Sequence, residues 1–568
     1  MSRTTPAPSG ALDRRSPVPR PLSRRRRRSS GRPIWFALVA GISVLVVAPV
    51  AAVVLDGLIQ VGAAQDGWPR QLPLMVVSTV ALMLGVGLGT LLLGGGLAWL
   101  VTAHRFPGRT VLAWLLVLPL AMPAYILGFV FLSVFDYPGP VQTGLRAVFG
   151  AGVWFPEVRS LPGAVVVLSL TLYPYVYLLA RSAWLEQAPA TYDAARTLGA
   201  SRRRAMRRVV LPLARPSLAA GLALVMMETL TDFATVRYFN VQTVSVGVYQ
   251  VWKGTFDRQS ATQLASLVLV FALMVIVAER VLRGGARYHQ RGGRGRGLPL
   301  ESLRGWRAWA ATGSCLAVLG AAFVIPVGQL LWWAVAETAA DSSTVLDTRF
   351  LGYLGNSMVV AGIAASSCVV VALVLGHALR LHGGRFVRGA AQLTMLGYAV
   401  PGAVVAIGVL AVFAASDQAL EGLGVPGGTG LLATGSVLGI VYAYVVRFLA
   451  PAYQSVDASF TKVSPNMTFS ALSLGASPRR VLRRVHLPLV RSGVGVGLVL
   501  VLIDGLKELP IVLLLRPFGF TTVSVWVYQL ASENRWQSAA LPALLIVVAA
   551  MLPVLLLFSR IRLPEGHR

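Results

Sequence analysis

Lysine is nearly missing from this chain of 568 residues: Lys253, Lys462 and Lys507 are the only three among 51 basic residues, so arginine supplies the rest. That shortage excludes a chemistry. A phosphate-gripping P-loop needs a lysine followed by Ser or Thr, the ammonium for the phosphates and the hydroxyl for magnesium. Here the lysines precede Gly254, Val463 and Glu508, so any ATP-driven work needs a partner that binds the nucleotide. Charge is scarce altogether, 13% of residues against roughly 25% in soluble globular domains. Cysteine is limited to Cys315 and Cys368, both in apolar stretches, which excludes a disulfide framework. In their place stand 55% hydrophobic residues and a mean hydropathy of +0.69, the composition of a membrane protein.

A helix needs about 20 apolar residues to cross a bilayer core of about 30 Å. That requirement gives twelve spans, roughly 34–58, 74–101, 110–135, 161–182, 216–237 and 263–282, then 308–335, 355–379, 388–415, 430–453, 492–516 and 537–559. With the N-terminus inside, 41 of the 51 basic residues fall in segments on the cytoplasmic side, the bias that sets orientation. The expected fold is therefore all-α and polytopic, with both termini cytoplasmic. The uncharged run Ile34–Leu55 exceeds the h-region of about 7–15 residues of an export signal, so it reads as a span. Arg24–Arg28 precede it. They read as part of a disordered basic tail near anionic lipid, and no nucleic-acid partner is expected. His104, His289, His377, His382, His486 and His567 lie mostly at cytoplasmic edges without metal-ligand spacing, so no metal site is assigned.

The chain repeats itself. LGASRRRAMRRVVLPLAR (198–215) returns as LGASPRRVLRRVHLPLVR (474–491), gapless and with thirteen of eighteen positions identical. TVSVGVYQ (243–250) returns as TVSVWVYQ (522–529), and Pro123-Ala124 corresponds to Pro401-Gly402. The organisation read from this is a tail 1–33, a first six-span module 34–282, a Gly/Arg-rich linker 283–306, a second module 307–560 and a tail 561–568. Six spans per module make the repeats parallel, about an axis along the membrane normal that puts a pathway between the halves.

The long repeat lies between the fourth and fifth spans of each module, within segments of about 186–215 and 462–491. A positive-inside loop accounts for its arginines, but not for LGAS, the fixed run to Leu-Pro or the recurrence. TYDAARTLGAS reads as a short helix, Tyr192 to Leu198, ended by Gly199 in the left-handed conformation. A basic turn then leads to Leu211-Pro212, where proline limits the helix before the next span. These residues resemble the cytoplasmic signature of the permeases of ATP-binding-cassette importers. The first copy matches with Asp193-Ala194-Ala195, Gly199, Val209 and Leu211-Pro212. The second has Gly475, Val485 and Leu487-Pro488 at the same spacing, but Phe469-Ser470-Ala471 where the acidic residue and alanines belong. In that family the segment is a coupling helix seated in a groove of the ATPase. ETLTDFATVRYFNVQTVSVGVYQVW (228–252), QLASLVLVFALMVIVAERVLR (263–283) and KELPIVLLLRPFGFTTVSVWVYQLAS (507–532) are similar to the fused, double-length permeases of ferric-iron importers. The resemblance implies two tandem modules of the type I importer fold in a bacterial inner membrane. It also implies a homodimeric ATPase on the cytoplasmic side and an extracytoplasmic solute-binding protein. ATP and magnesium would sit on the ATPase, and this chain would carry neither a cofactor nor catalytic residues. Thiamine, polyamine and sulfate permeases share the plan.

Charge inside a span costs on the order of 3 kcal/mol and marks function by default. Glu228 falls near mid-bilayer of the fifth span, with Asp232 four residues on, on the same helical face. At the 276-residue displacement stand Asp504 and Glu508. These four acids are candidates to line a path for a hard cation, which oxygen ligands suit. The alternative is structural: they pair with Arg237, Lys507 or Arg516. TVSVGVYQ and TVSVWVYQ fall on the outer side, where they contact a docked protein or pack short helices on the bundle. Pro119, Pro123 and Pro401 lie inside spans and kink them. A twelve-span secondary transporter would also explain two halves and buried acids, but not the repeated coupling signature.

Overall fold

A computed structural model describes residues 32–60, 71–186, 188–255, 258–283, 300–340, 348–430 and 435–560. Residues 1–31 of the basic tail, 284–299 of the linker and the tail 561–568 lie outside the described residues. Among the described residues, eleven helices are long and apolar enough to cross a membrane. The bent pair Met206–Leu213 and Arg215–Thr231 brings the total to twelve. The only strands among them, His104–Arg105 and Glu301–Ser302, pair in parallel and tie the loop after the second span to the start of the second module.

Several spans are broken, and the breaks recur in both modules. The third is Arg109–Leu115, a 3₁₀ turn at Leu118–Ala121, then Ala124–Phe135; the ninth is Arg385–Thr394, a 3₁₀ turn at Leu396–Ala399, then Gly402–Gly422. Met122 (φ −94°, ψ 108°) and Val400 (φ −95°, ψ 130°) are extended because each precedes a proline, whose ring disfavours helical backbone before it. The fifth and eleventh spans break on the acids. Helix Arg215–Thr231 stops at Asp232 and restarts as Ala234–Tyr238; helix Leu487–Lys507 stops at Glu508 and restarts as Pro510–Leu515. The expectation that each acid pair shares one continuous helical face is thus corrected. Asp232 and Glu508 sit on extended backbone past their helix ends.

The Leu-Pro repeat also behaves differently from the expectation. Pro488 does not limit its helix: Pro478–Lys507 runs on as one candidate span, through a π-helical turn at Leu482–His486. A wider turn shifts the hydrogen-bond register and accommodates the missing proline N–H. In the first module the chain bends by 43° at Ala214. Pro216 follows there, where the second module has Ser492, and a second proline withdraws a further donor.

Each module lends its first span to the other. The first span, Arg32–Gln60, lies on the second module, where Ser43 Oγ donates to the Ala390 carbonyl (3.1 Å) and Trp35 packs on His377. Reciprocally, the seventh span (Trp306–Ala339) meets the first module, with Thr312 Oγ1 donating to Pro107 O at 2.9 Å. Both TVSV helices, Val244–Thr255 and Val523–Ser532, pack on the bundle. The Val244 N–H donates to Thr79 Oγ1 (3.0 Å) and the Val523 N–H to Ser357 Oγ (2.8 Å), equivalent hydroxyls on the second and eighth spans. Ser245 Oγ donates to Leu230 O and Ser524 Oγ to Glu508 O, tying these helices to the span breaks. Tyr528 closes the seam above: Arg237 Nη1 donates to its hydroxyl at 3.1 Å, and Tyr238 stacks on its ring.

Candidate translocation site

All four candidate acids meet in one cavity of about 160 Å³ on the seam between the modules. Its walls come from the breaks: Pro123, Ala124 and Tyr125 of the third span, Glu228 and Asp232 of the fifth, Asp504, Lys507 and Glu508 of the eleventh. Tyr175, Tyr398 and Arg447 complete the polar lining. Broken helices at such depth expose backbone carbonyls and helix ends to a cavity, the arrangement that suits ion sites in membrane proteins.

The two acids at the breaks do the same local job. Asp232 accepts the Thr235 N–H at 2.8 Å and the Thr235 hydroxyl at 2.7 Å; Glu508 accepts the Ile511 N–H at 3.3 Å. Each carboxylate therefore caps the short helix that follows it, where free N–H groups and the helix dipole favour an anion. The other two stay on the preceding helices. Asp504 pairs with Lys507 one turn later, at 2.8 Å. Of the proposed structural partners, Lys507 makes its ion pair. Arg237 instead bonds Tyr528 and lies over the Tyr249 ring, and Arg516 donates to Thr521 Oγ1 at 3.1 Å.

Sequence reasoning missed Arg447. Positive-inside counting groups it with the basic residues at the cytoplasmic end of the expected span 430–453; the tenth span runs from Val437 on to Phe460, so Arg447 lies well inside it and is only 7% exposed. Its Nε stands 3.5 Å from Glu508 Oε2, and Nη1 donates to the Val400 carbonyl at the break of the ninth span. The signal was present: a lone arginine between Tyr444 and Phe448 in an otherwise apolar run. Gly402 makes room for the pair. A Cβ there would stand 2.7 Å from Glu508 Oε1 and 2.9 Å from Arg447 Nη1. The corresponding residue in the first module is Ala124, and Thr171 stands 276 positions before Arg447. The modules are thus unlike at this point, and the cavity sets four carboxylates against two cations.

On the basic face, the segments with the coupling signature form the helices Ala188–Thr197 and Pro465–Ser473. Asp193, Ala194 and Ala195 lie on the first, Ser470 and Ala471 on the second. Gly199 (φ +84°) and Gly475 (φ +83°) end them in the left-handed region. The Ala200 N–H reaches Ala195 O and the Ala476 N–H reaches Ala471 O, both at 3.0 Å, the Schellman closure that glycine permits. Leu198 and Leu474, beside these glycines, are each 88% exposed. At the other end of the segments, Leu211-Pro212 precedes the bend into the fifth span, and Leu487-Pro488 lies within the unbroken eleventh span.

Comparison with known proteins adds the family. The sequence profile of binding-protein-dependent transport system inner membrane components matches residues 90–291. An Fe(3+)-transport system permease protein of Haemophilus influenzae is 25% identical over 492 residues, 86% of this chain and 90% of that protein. A sulfate transport system permease protein of Salmonella typhimurium is 31% identical over 193 residues, 33% of this chain and 68% of that protein. A molybdenum transport system permease protein of Escherichia coli is 26% identical over 223 residues, 38% of this chain and 93% of that protein. The short relatives match little more than a third of this chain, and the ferric permease runs through both halves. With twelve spans, a repeated architecture and these relatives, the chain belongs to the inner-membrane components of binding-protein-dependent transport systems, multi-pass permeases of ATP-binding-cassette importers.

Proposed function

We propose that this permease carries ferric iron, received from an extracytoplasmic solute-binding protein and driven inward by a separate, homodimeric ATPase that holds ATP and magnesium. The observation that carries the reading is the acid-rich cavity on the seam. Four carboxylates against two cations favour a hard cation over an oxyanion such as sulfate or molybdate. The ferric relative, aligned over most of the chain, supports the same choice.

In this reading Glu228, Asp232, Asp504 and Glu508 line the path, and modules 34–282 and 307–560 move against each other. The ATPase grips the helices that carry Asp193, Ala194, Ala195, Ser470 and Ala471. Gly199 and Gly475 hold the exposed Leu198 and Leu474 clear of the membrane-facing helices, and Leu211-Pro212 and Leu487-Pro488 pass the thrust into the fifth and eleventh spans. This chain hydrolyses nothing itself.

The test is ATP-dependent uptake into vesicles that hold the permease, its ATPase and its binding protein. Ferric iron is compared with thiamine, spermidine and sulfate. Ferric uptake is expected, and Glu228→Gln with Asp504→Asn abolishes it while ATPase capture persists. Preferential uptake of another cargo, or unchanged ferric uptake by the double variant, overturns the assignment.

A further inference from the structure

The cavity contains a group with no task in the protein itself. Tyr125, in the first turn after the Met122-Pro123 break, is 6% exposed, and its hydroxyl has no hydrogen-bond partner among the described residues. Burying a hydroxyl unpaired is costly, and native structures keep such groups where a ligand or water completes them. Tyr125 lines the same cavity as Asp232 and Glu508 and lies within electrostatic reach of both. The second module has Ala403 at the corresponding position, so this phenol occurs once.

We propose that Tyr125 is a cargo ligand: its oxygen joins those of Asp232 and Glu508 in a patch of hard donors, at the level of the helix breaks, that takes a trivalent cation. The proposal rests on the ferric reading above. Both carboxylates line the cavity, Asp232 held by Thr235 and Glu508 by Ile511 and by Arg447, whose Nε is 3.5 Å from Glu508 Oε2; each oxygen has a second lone pair beyond these contacts. When the cation binds, an iron–oxygen bond forms and the phenol O–H bond breaks, its proton leaving to water; both steps reverse on release. Iron stays ferric throughout.

Ferric phenolates absorb visible light through charge transfer, which carboxylate complexes lack. Ferric nitrilotriacetate added to the full-length permease–ATPase complex, without the binding protein, should give that band. Tyr125→Phe should remove it and lower ferric uptake at limiting cargo by roughly tenfold, the scale of one lost polar contact. A band unchanged in Tyr125→Phe, or no band from a complex that transports ferric iron, overturns the ligand assignment. Uptake of spermidine or thiamine in place of iron overturns the ferric reading and the ligand with it.

The basic face carries a separate device. His377 of the eighth span and His486 of the eleventh are fully buried, and their Nδ1 atoms are 2.8 Å apart. His486 Nε2 is 2.9 Å from Thr468 Oγ1, on the second coupling helix. In the first module Val210 and Tyr192 occupy the positions of His486 and Thr468, both buried. Trp184, at the position of Phe460, packs edge-on against Trp99 there. One joint is apolar and the other is held through imidazole. Two ring nitrogens at that distance share a single proton; when both imidazoles are charged, both nitrogens are donors and the bond is lost. Arg380, which donates to the Phe460 carbonyl, faces His486 and adds repulsion. Phe460 of the tenth span and Trp35 of the first pack their rings against the pair and carry no charge.

We infer that this pair latches the second coupling helix to the bundle near neutral pH and releases it on acidification. ATP-driven uptake should fall several-fold as the cytoplasmic-side pH is taken from neutral to well below the usual imidazole value of about 6.5. His486→Val, which copies the first module, and His377→Leu should each flatten that dependence relative to wild type under the same ATPase. Parallel pH profiles for wild type and both variants overturn the latch.

Discussion

The Arg447–Glu508 pair allows a quantitative test of how the seam is held. Both residues are 7% exposed, and the closest N···O distance is 3.5 Å. With an effective dielectric constant of about 20, the attraction at that distance is about 5 kcal/mol, offset by desolvation of both charges. Arg447→Met strands a buried carboxylate, and Glu508→Gln strands a buried guanidinium. Each should cost about 3–5 kcal/mol. The double variant removes both charges and should cost less than either single one, giving a coupling energy of about 2 kcal/mol or more. The assay is unfolding of the full-length permease by SDS in mixed micelles, followed by tryptophan fluorescence, for wild type, both singles and the double. Costs that add to within about 0.5 kcal/mol would mean the two charges do not interact, and the pair would then be no brace.

Gly402→Ala should act through the same pair, since its Cβ would press on both charged groups; unfolding midpoints should drop about as far as for Arg447→Met. Gly199→Val and Gly475→Val meet open space, so their cost is backbone strain of about 1–2 kcal/mol. The permease should stay monodisperse on size exclusion while capture of the ATPase weakens. Leu198→Asp and Leu474→Asp alter exposed tips without touching the core, so thermal midpoints should hold and co-purified ATPase should fall. Thr235→Val removes the hydroxyl donated to Asp232; it should lower ferric uptake by about tenfold, in keeping with the loss of a hydrogen bond to a charged group.

The spans and the duplication could be read from the sequence because each is a local signal: about twenty apolar residues in a row, or eighteen positions repeated without a gap. The four acids stood out for the same reason, as charges where charge is costly. The breaks did not. Nothing in the run from Glu228 to Arg237 marks Asp232 as a helix end, because the carboxylate that stops one helix starts the next, through Thr235. The role of Arg447 was not legible because its partner lies at the far end of the next span and only the folded chain brings them together. Exchange of the first spans is likewise non-local, set by where the Ser43 hydroxyl and the Thr312 hydroxyl find carbonyls in the opposite half. Tyr125 looks like any aromatic in an apolar helix until the cavity beside it is seen.

Joining two halves in one polypeptide releases the centre from a rule that binds every two-fold dimer. A group placed near the axis of a homodimer faces its own copy, so a single arginine there becomes two, and a single phenol likewise. Here the residues opposite Arg447 and Tyr125 are free to be Thr171 and Ala403. Odd numbers become possible, and an ion pathway can be lopsided, with ligands gathered on one wall and counter-charge on the other.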